Sequence, residues 1–465
     1  MYSPNSDIGS RHDGGAMTIV SDLQGTEARY RAGRDNSRGL WERASGVFPS
    51  GVSGAAKFFA PHPIFIRSAA GAHVIDADGI RYVDLLMGAG PMLFGHGHPR
   101  IVEAIREQVA QMTNPMMPVE QAIELAERIR GHMPYLERLR FVNTGSEATR
   151  SAVRVARAAT GRHLIAKFEG NFHGSDDVFL VSTHSHALRG SDERPEGVVD
   201  YAGMPPRLAD EVVILPYNDP ATTVELVGQH ADRLAAVIME PVAFSSGGGV
   251  PATREFAAAV RAVTEKHGIP LIFDEVLCAY RLGLAGAPAY LGVTPDLATI
   301  GKAVGGGMPL GAFGGREDLM EAALGAGATE KIFQSGTFTE NPVSIAAGTA
   351  ALDVLESEPI LERADSAGRA LREGLARAFA AHGVPAAVTG AASIFQIHLG
   401  ANAIRNRRDV LRADGEATRR FLLEMVSAGV LWPPVHPAVT SGAHDAEVVE
   451  TVLSAADAVL ARMMA

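Results

Sequence analysis

The chain has 465 residues, 42 Lys+Arg against 53 Asp+Glu for a formal charge of −11, 46% hydrophobic and 20% charged residues, and a single cysteine, Cys278. At roughly 150 residues per domain this is about three domains' worth of chain with material for a large core, which excludes a stapled miniprotein, an internal disulfide and a multi-cysteine metal centre. The acidic balance gives no overall field for nucleic acid or acidic lipid, and no run of 18 apolar residues occurs, so neither nucleic acid nor membrane is an expected partner.

The opening residues, MYSPNSDIGSRHDGGA, are polar, lack the apolar stretch of a secretory signal and precede a second methionine at Met17; residues 1–20 are read as a flexible tail. From Tyr135 the pattern is strand-like LRFVN, a turn at Thr144-Gly145, EATRSAVRVARAAT with apolar residues at helical spacing, then the strand HLIAKFEG. This order predicts a parallel crossover unit. His184 to Glu211 is charged, rich in Gly and Pro and without a period; loops of this length in compact enzymes are lids or plain surface excursions, and both readings stay open. AAVIMEPV, REFAAAVRAVTEKHG and IPLIFDEV repeat the crossover, and their continuous apolar strands predict a sheet covered on both faces. Beyond Glu340, NPVSIAAGTAALDVLES and SAGRALREGLARAFAAHG are helical, the second stopped at Gly383. SIFQIHLG with VLWPPVHP suggests a further strand set in a small C-terminal domain. The alternation places the chain in the α/β class.

Between Leu271 and Arg316, Asp274 ends an apolar strand and Lys302 stands 28 positions later, between a hydrophobic segment and a glycine cluster. A carboxylate on an apolar strand is costly unless a cation faces it, so a positive group is expected beside Asp274. Flanked by Ile300, Ala303 and Val304, Lys302 loses water, which lowers the ammonium pKa and frees an amine nucleophile. Such a pair is what pyridoxal phosphate requires, the carboxylate keeping the ring nitrogen protonated and the lysine forming a Schiff base. An ion-paired aspartate and a surface lysine before a glycine turn fit the spacing equally well. Asn143 to Thr149 lies between strand and helix, so the amides of Gly145 and Ser146 open a helix N-terminus where phosphate is favoured. Alternatively, Ser146 and Glu147 simply cap the helix. His96-Gly97-His98 and His184-Ser185-His186 lack a third ligand at a recognised spacing, and no metal is expected. Gly301-Lys302-Ala303 lacks the other parts of a nucleotide loop. Arg281 and Arg316 are expected to be structural salt-bridge partners.

Taken together, FVNTGSEAT, FEGNFHG, MEPV, FDEV, GKAVGGGMPLGAFGGR and QSGTFTENP strongly resemble the class III pyridoxal-phosphate aminotransferases, most closely the branch containing glutamate-1-semialdehyde 2,1-aminomutase, from about Val47 to the C-terminus. The resemblance implies fold type I, the aspartate-aminotransferase-like α/β fold: a large domain with a mostly parallel seven-stranded sheet and a small α+β domain. Residues 95–350 would then be the large cofactor domain, with 21–94 and 351–465 contributing to the small one. The implied cofactor is pyridoxal 5′-phosphate. Carried over onto this sequence, Lys302 attaches the cofactor and moves the proton, while Asp274 pairs with the pyridine nitrogen. Gly145 and Ser146 hold the phosphate, Val276 and Phe172 cover the two ring faces, and His173 stands beside Phe172. Thr337 matches a residue that reaches the phosphate of the neighbouring subunit's cofactor, which implies a homodimer with shared active sites. Glu240 falls at a family-typical acidic position near the site.

The sequence also departs from the pattern. Aminomutases of this branch carry an arginine for the substrate carboxylate where this chain has Lys57, and related β-amino-acid transaminases place one where it has Ala55; lysine cannot make the planar two-point contact. Near the C-terminus, Trp432, Val435 and His436 are expected to give an aromatic, mostly apolar lining. Lys57, Trp432 and His436 are therefore the candidate substrate contacts. The expected activity is ping-pong amino-group transfer between an amine or amino acid, with β-amino acids and bulky amines included, and an oxo acceptor. A cytoplasmic setting is expected from the cysteine usage. Intramolecular, aminomutase-like transfer and a non-catalytic cofactor-binding homologue are the rival readings; intact Lys302 and Asp274 argue against the latter.

Overall fold

The apolar runs that lack alternation come together in one seven-stranded sheet. In the computed structural model, which describes residues 22–329, 331–434 and 436–464, the order across it is Arg138–Val142, Gly311–Gly315, Leu297–Ile300, Leu271–Glu275, Leu234–Met239, Leu164–Phe168 and Val212–Leu215. Gly311–Gly315 runs antiparallel to both neighbours and the remaining pairs are parallel. The central strands are buried along their whole length, which explains why they show no polar alternation. The tail expected over residues 1–20 lies outside the described residues.

The two predicted crossovers differ in reach. Helix Arg254–Lys266 links direct neighbours, setting Leu271 beside Val237. Helix Gly145–Thr160 instead carries the chain from the edge strand Arg138–Val142 across the sheet to Leu164–Phe168. Hydrophobic period reports a crossover but not how many strands it skips.

A three-stranded antiparallel sheet, Ala386–Ala391, Ile394–Leu399 and Ala438–Val439, forms a second layer near the C-terminus. Phe395 and Ile397 bury there with Leu371 and Leu375 of helix Ile360–Ala381 and with Val452 and Val459 of helix Ala446–Met464. The segment VLWPPVHP is not one strand paired with SIFQIHLG. Val430–Leu431 pairs in parallel with Arg81–Asp84, joining Ile66–Ala70 and His73–Asp76 in a four-stranded sheet, and only Ala438–Val439 reaches Ile394–Leu399. Pro433 and Pro434 stand between the two short strands, where they supply no ladder donor. The boundary expected after residue 350 falls within helix Pro342–Ser357, which packs on Pro99–Gln111.

The excursion over residues 184–211 is pinned. Arg189–Gly190 pairs with Pro195–Glu196, and Arg408 donates to the carbonyls of Arg189 and Gly190 while its guanidinium grips the buried Glu169 at 2.7 and 3.1 Å. Asp200 accepts from the backbone N–H groups of Thr183, His184 and Ser185. These bonds fix residues 184–200 of the excursion and make that part a buttress rather than a free lid. Among the described residues, no helix is long and apolar enough to cross a membrane.

Candidate active site

Lys302 follows the strand Leu297–Ile300 and opens the tight turn Lys302–Gly305 with φ +50. A left-handed backbone costs a non-glycine residue roughly 1–2 kcal/mol, a strain typical of sites where side-chain placement is functional. Its aliphatic stem passes Gly90, where an added Cβ would lie 3.1 Å from Cδ, and Nζ stands 5.4 Å from the centroid of the Phe244 ring. Loss of water lowers the ammonium pKa; the Glu240 and Asp274 carboxylates pull it back up.

Asp274 lies on the adjacent strand, in register with Thr299. The cation expected beside it is absent among the described side chains. Instead His173 Nδ1 lies 2.7 Å from Oδ2, while the Val276 amide and the Thr299 hydroxyl each donate to Oδ1 at 3.1 Å. Burial lowers the His173 pKa while Asp274 pulls it back up. These three contacts orient the carboxylate. His173 Nε2 is buried without a hydrogen-bond partner among the described residues.

The helix Gly145–Thr160 begins beside this pair. Its cap is Thr144 rather than Ser146: Thr144 Oγ1 accepts from Glu147 N at 3.2 Å, and Glu147 Oε2 reaches back past the cap to accept from Asn143 N at 2.7 Å. The amides of Gly145 and Ser146 thus stand at the positive end of a 16-residue helix. Ser146 Oγ serves another segment, accepting from Ser175 N at 3.1 Å. A Cβ at Gly145 would lie 2.6 Å from Val276 Cγ1, so only glycine lets the helix start approach the residue that follows the Asp274 strand.

Phe172 keeps its ring exposed while its amide donates to Glu240 Oε2 at 2.8 Å. His184 stands behind that ring at 5.5 Å, with Tyr201 of the pinned excursion next in line. Thr337 is exposed in a segment tied by its carbonyl to Asn114 Nδ2, and the preceding Gly336 lies beside Asn143, where an added Cβ would be 3.6 Å from Nδ2. Of the expected substrate contacts, His436 joins the site: Nε2 lies 3.2 Å from the Ala56 carbonyl, and the Lys302 charge helps burial lower its pKa. That bond brings the Ala55–Lys57 turn alongside, with Lys57 exposed on it. Trp432 does not line the site. It is 1% exposed and packs edge-on against Phe395 in the core of the C-terminal layer, because the chain turns inward directly after Val430–Leu431. Val435 lies outside the described residues. Arg316 pairs with Asp296 and Asp318, as expected. Arg281 forms no ion pair among the described residues and bonds to carbonyls and a hydroxyl instead. Sequence reasoning does not single out Phe244, Thr299 and Gly90, whose only signals are positions two residues past the MEPV run, within a sheet strand and at the end of the MGAG run.

Burial, with the Asp274 charge adding to it, raises the Glu240 pKa from 4.5 to about 8. Between those values the folded chain keeps a proton that the unfolded chain releases, so this group's contribution to stability falls as pH rises from about 4.5 to about 8. Glu240→Gln is expected to remove up to one proton's worth of that slope, read by denaturant unfolding across the window. An unchanged slope would mean that Glu240 is ionised in the fold.

The family model described as Aminotransferase class-III matches residues 56–445. The glutamate-1-semialdehyde 2,1-aminomutase of Rhodopirellula baltica is 39% identical over 445 residues, covering 95% of this chain and 99% of its own. Among solved structures, an omega-transaminase from Sphaerobacter thermophilus superposes with a TM-score of 0.88 at 36% identity, covering 94% of this chain and 99% of that one. A beta-phenylalanine aminotransferase from Variovorax paradoxus gives 0.83 at 29%, covering 95% and 97%.

Proposed function

The chain belongs to the class III aminotransferases, fold type I enzymes whose cofactor is pyridoxal 5′-phosphate, and on that premise we propose that it transfers an amino group from an amine or amino acid bearing an apolar group, such as a β-amino acid, to an oxo acceptor. The residues present fit the cofactor. Asp274 is a buried carboxylate held by three contacts, with no Lys or Arg in ion-pair contact among the described residues, which suits a protonated ring nitrogen. The helix start at Gly145 and Ser146 suits a phosphate, and the exposed Phe172 ring and Val276 suit the two faces of a flat ring. Bound there, pyridoxal phosphate supplies a ring that takes up the electron pair left when a proton leaves the amine-bearing carbon. Lys302 Nζ, its pKa lowered by burial, takes up that proton and returns it. Asp274 holds the proton on the ring nitrogen, and His173 fixes the angle of the carboxylate.

The observation that carries the substrate class is the wall beside Lys302. Phe244 faces the amine, Gly90 and Leu277 lie along the stem, and the guanidinium acting on Lys302, Arg281, is consumed by backbone carbonyls and Ser393. A panel of α-amino acids, β-amino acids and simple amines, assayed with a keto acceptor, is expected to show highest kcat/KM for donors with an aryl or alkyl substituent and to release a separate oxo product. Preference for glutamate-1-semialdehyde, converted without a released oxo product, would establish the second reading instead, intramolecular transfer, which the 39%-identical aminomutase favours.

A homodimer with shared sites completes the proposal. Exposed Thr337 lies in a segment that also exposes Phe333 and Phe338, and the Asn341–Thr113 bond ties it to the segment exposing Met116 and Met117. Such apolar surface is what a second copy would cover. A dimer is expected by sedimentation at micromolar concentration; a monomer would remove this part of the proposal.

A further inference from the structure

Arg281 is 3% exposed, and its hydrogen-bond partners among the described residues are carbonyls and a hydroxyl, with no carboxylate in ion-pair contact. Burying a guanidinium without a counter-ion is expensive unless every donor is used well. Here the acceptors come from three separate parts of the chain. Nη2 and Nε donate to the Gly90 carbonyl at 2.7 and 3.3 Å, and Nη1 donates to Ser393 Oγ at 2.8 Å and to the Thr440 carbonyl at 2.9 Å. Ser393 sits in the turn between Ala386–Ala391 and Ile394–Leu399, and Thr440 follows Ala438–Val439, so both belong to the C-terminal layer.

What Arg281 holds on its other side is an unusual backbone. Met87, Gly88, Ala89 and Gly90 are all left-handed, with φ of 46°, 66°, 63° and 116°. Two of the four are non-glycine residues that pay for this conformation, so the run persists only where contacts fix it. The reason for its shape lies at Gly90. An added Cβ there would lie 2.6 Å from Leu277 Cδ1, 3.1 Å from Lys302 Cδ and 3.8 Å from Lys302 Cε, so the glycine backbone itself forms the surface against which the lysine stem rests.

We propose that Arg281 is a positioning residue for Lys302: anchored on Ser393 and Thr440 of the C-terminal layer while it grips the Gly90 carbonyl, it presses the Met87–Gly90 run onto the lysine stem and sets where Nζ points. This rests on the assignment of Lys302 as the cofactor lysine. A guanidinium suits the task because its rigid fork reaches divergent acceptors at fixed angles, whereas an ammonium would keep the charge and lose the fork. The inference therefore separates geometry from charge.

The test compares Arg281→Lys and Ser393→Ala with the parent enzyme. Cofactor is removed and pyridoxal phosphate restored, the rate of adduct formation is followed by absorbance, and the labelled lysine is identified by mass spectrometry after borohydride reduction. Arg281→Lys is expected to slow capture at Lys302 about tenfold and to lower kcat by a similar factor with KM nearly unchanged. Ser393→Ala, which removes one acceptor and leaves Arg281 in place, is expected to give a smaller loss of the same kind, about threefold, and it decides the matter if Arg281→Lys does not fold. Capture rates and kcat within the error of the parent enzyme in the folded variants, whatever their melting temperatures, would overturn the proposal and leave Arg281 a purely structural tie. Labelling of another lysine in the parent enzyme would instead overturn the assignment of Lys302 itself.

Discussion

Lys302→Ala is expected to lower kcat by about four orders of magnitude or more while leaving the fold at least as stable. A positioned acid–base group contributes roughly 10²- to 10⁴-fold, and the same residue is assigned the nucleophile's part as well. Stability should hold because burying the amine strips it of water, the cost that lowers its pKa in the folded chain. Alanine relieves that cost, and it occupies a left-handed backbone with no greater strain than lysine does at φ +50. Steady-state turnover, borohydride labelling and a melting curve on one preparation check all three parts. A loss smaller than about tenfold would remove Lys302 from the chemistry, and a large drop in melting temperature would make the loss of turnover structural.

Asp274→Asn comes next in size. Oδ2 faces His173 Nδ1, and Oδ1 takes the Val276 amide and the Thr299 hydroxyl. Asparagine keeps the shape but offers one acceptor oxygen, so His173 must change tautomer or one side loses its bond. The larger consequence is the lost charge. A buried ion deprived of its partner costs about 3–5 kcal/mol, which corresponds to roughly a hundred- to several-thousandfold in kcat. A cofactor analogue methylated at the ring nitrogen, permanently cationic and needing no proton, should return part of that loss to Asp274→Asn and none to Lys302→Ala. If the analogue restores nothing, Asp274 acts through the architecture around His173 rather than through a ring proton.

The two largest effects fall on residues that the sequence singled out, whereas the residues around them did not stand out in it. Asp274 was legible because a carboxylate at the end of LIFDEV has no cheap place in an apolar strand, but its partner was not. Adjacent burial argued for a cation, and the fold supplied a histidine from 101 positions away. Gly145 was legible as a turn before a helix; that its missing Cβ makes room for Val276 was not. Trp432 looked like a pocket aromatic because composition cannot tell a lining side chain from a core one, and the inward turn of the chain after Val430–Leu431 decided the matter. Arg281 looked like an ion-pair partner because arginines mostly are, yet its neighbours in space are carbonyls contributed by Gly90 and Thr440.

By itself, then, the order of residues determined everything that depends on local period and on chemical type: alternating strands and helices, a glycine turn feeding a helix start, and the aspartate and lysine whose burial has to be justified by chemistry. Tertiary structure alone decided which strands are neighbours, how far the first crossover travels, and which groups from distant segments meet at Lys302. The reason is that contacts such as Arg281 to Gly90 or His436 to Ala56 join residues 191 and 380 positions apart, and no pattern with a period of two or 3.6 residues carries information over such a span.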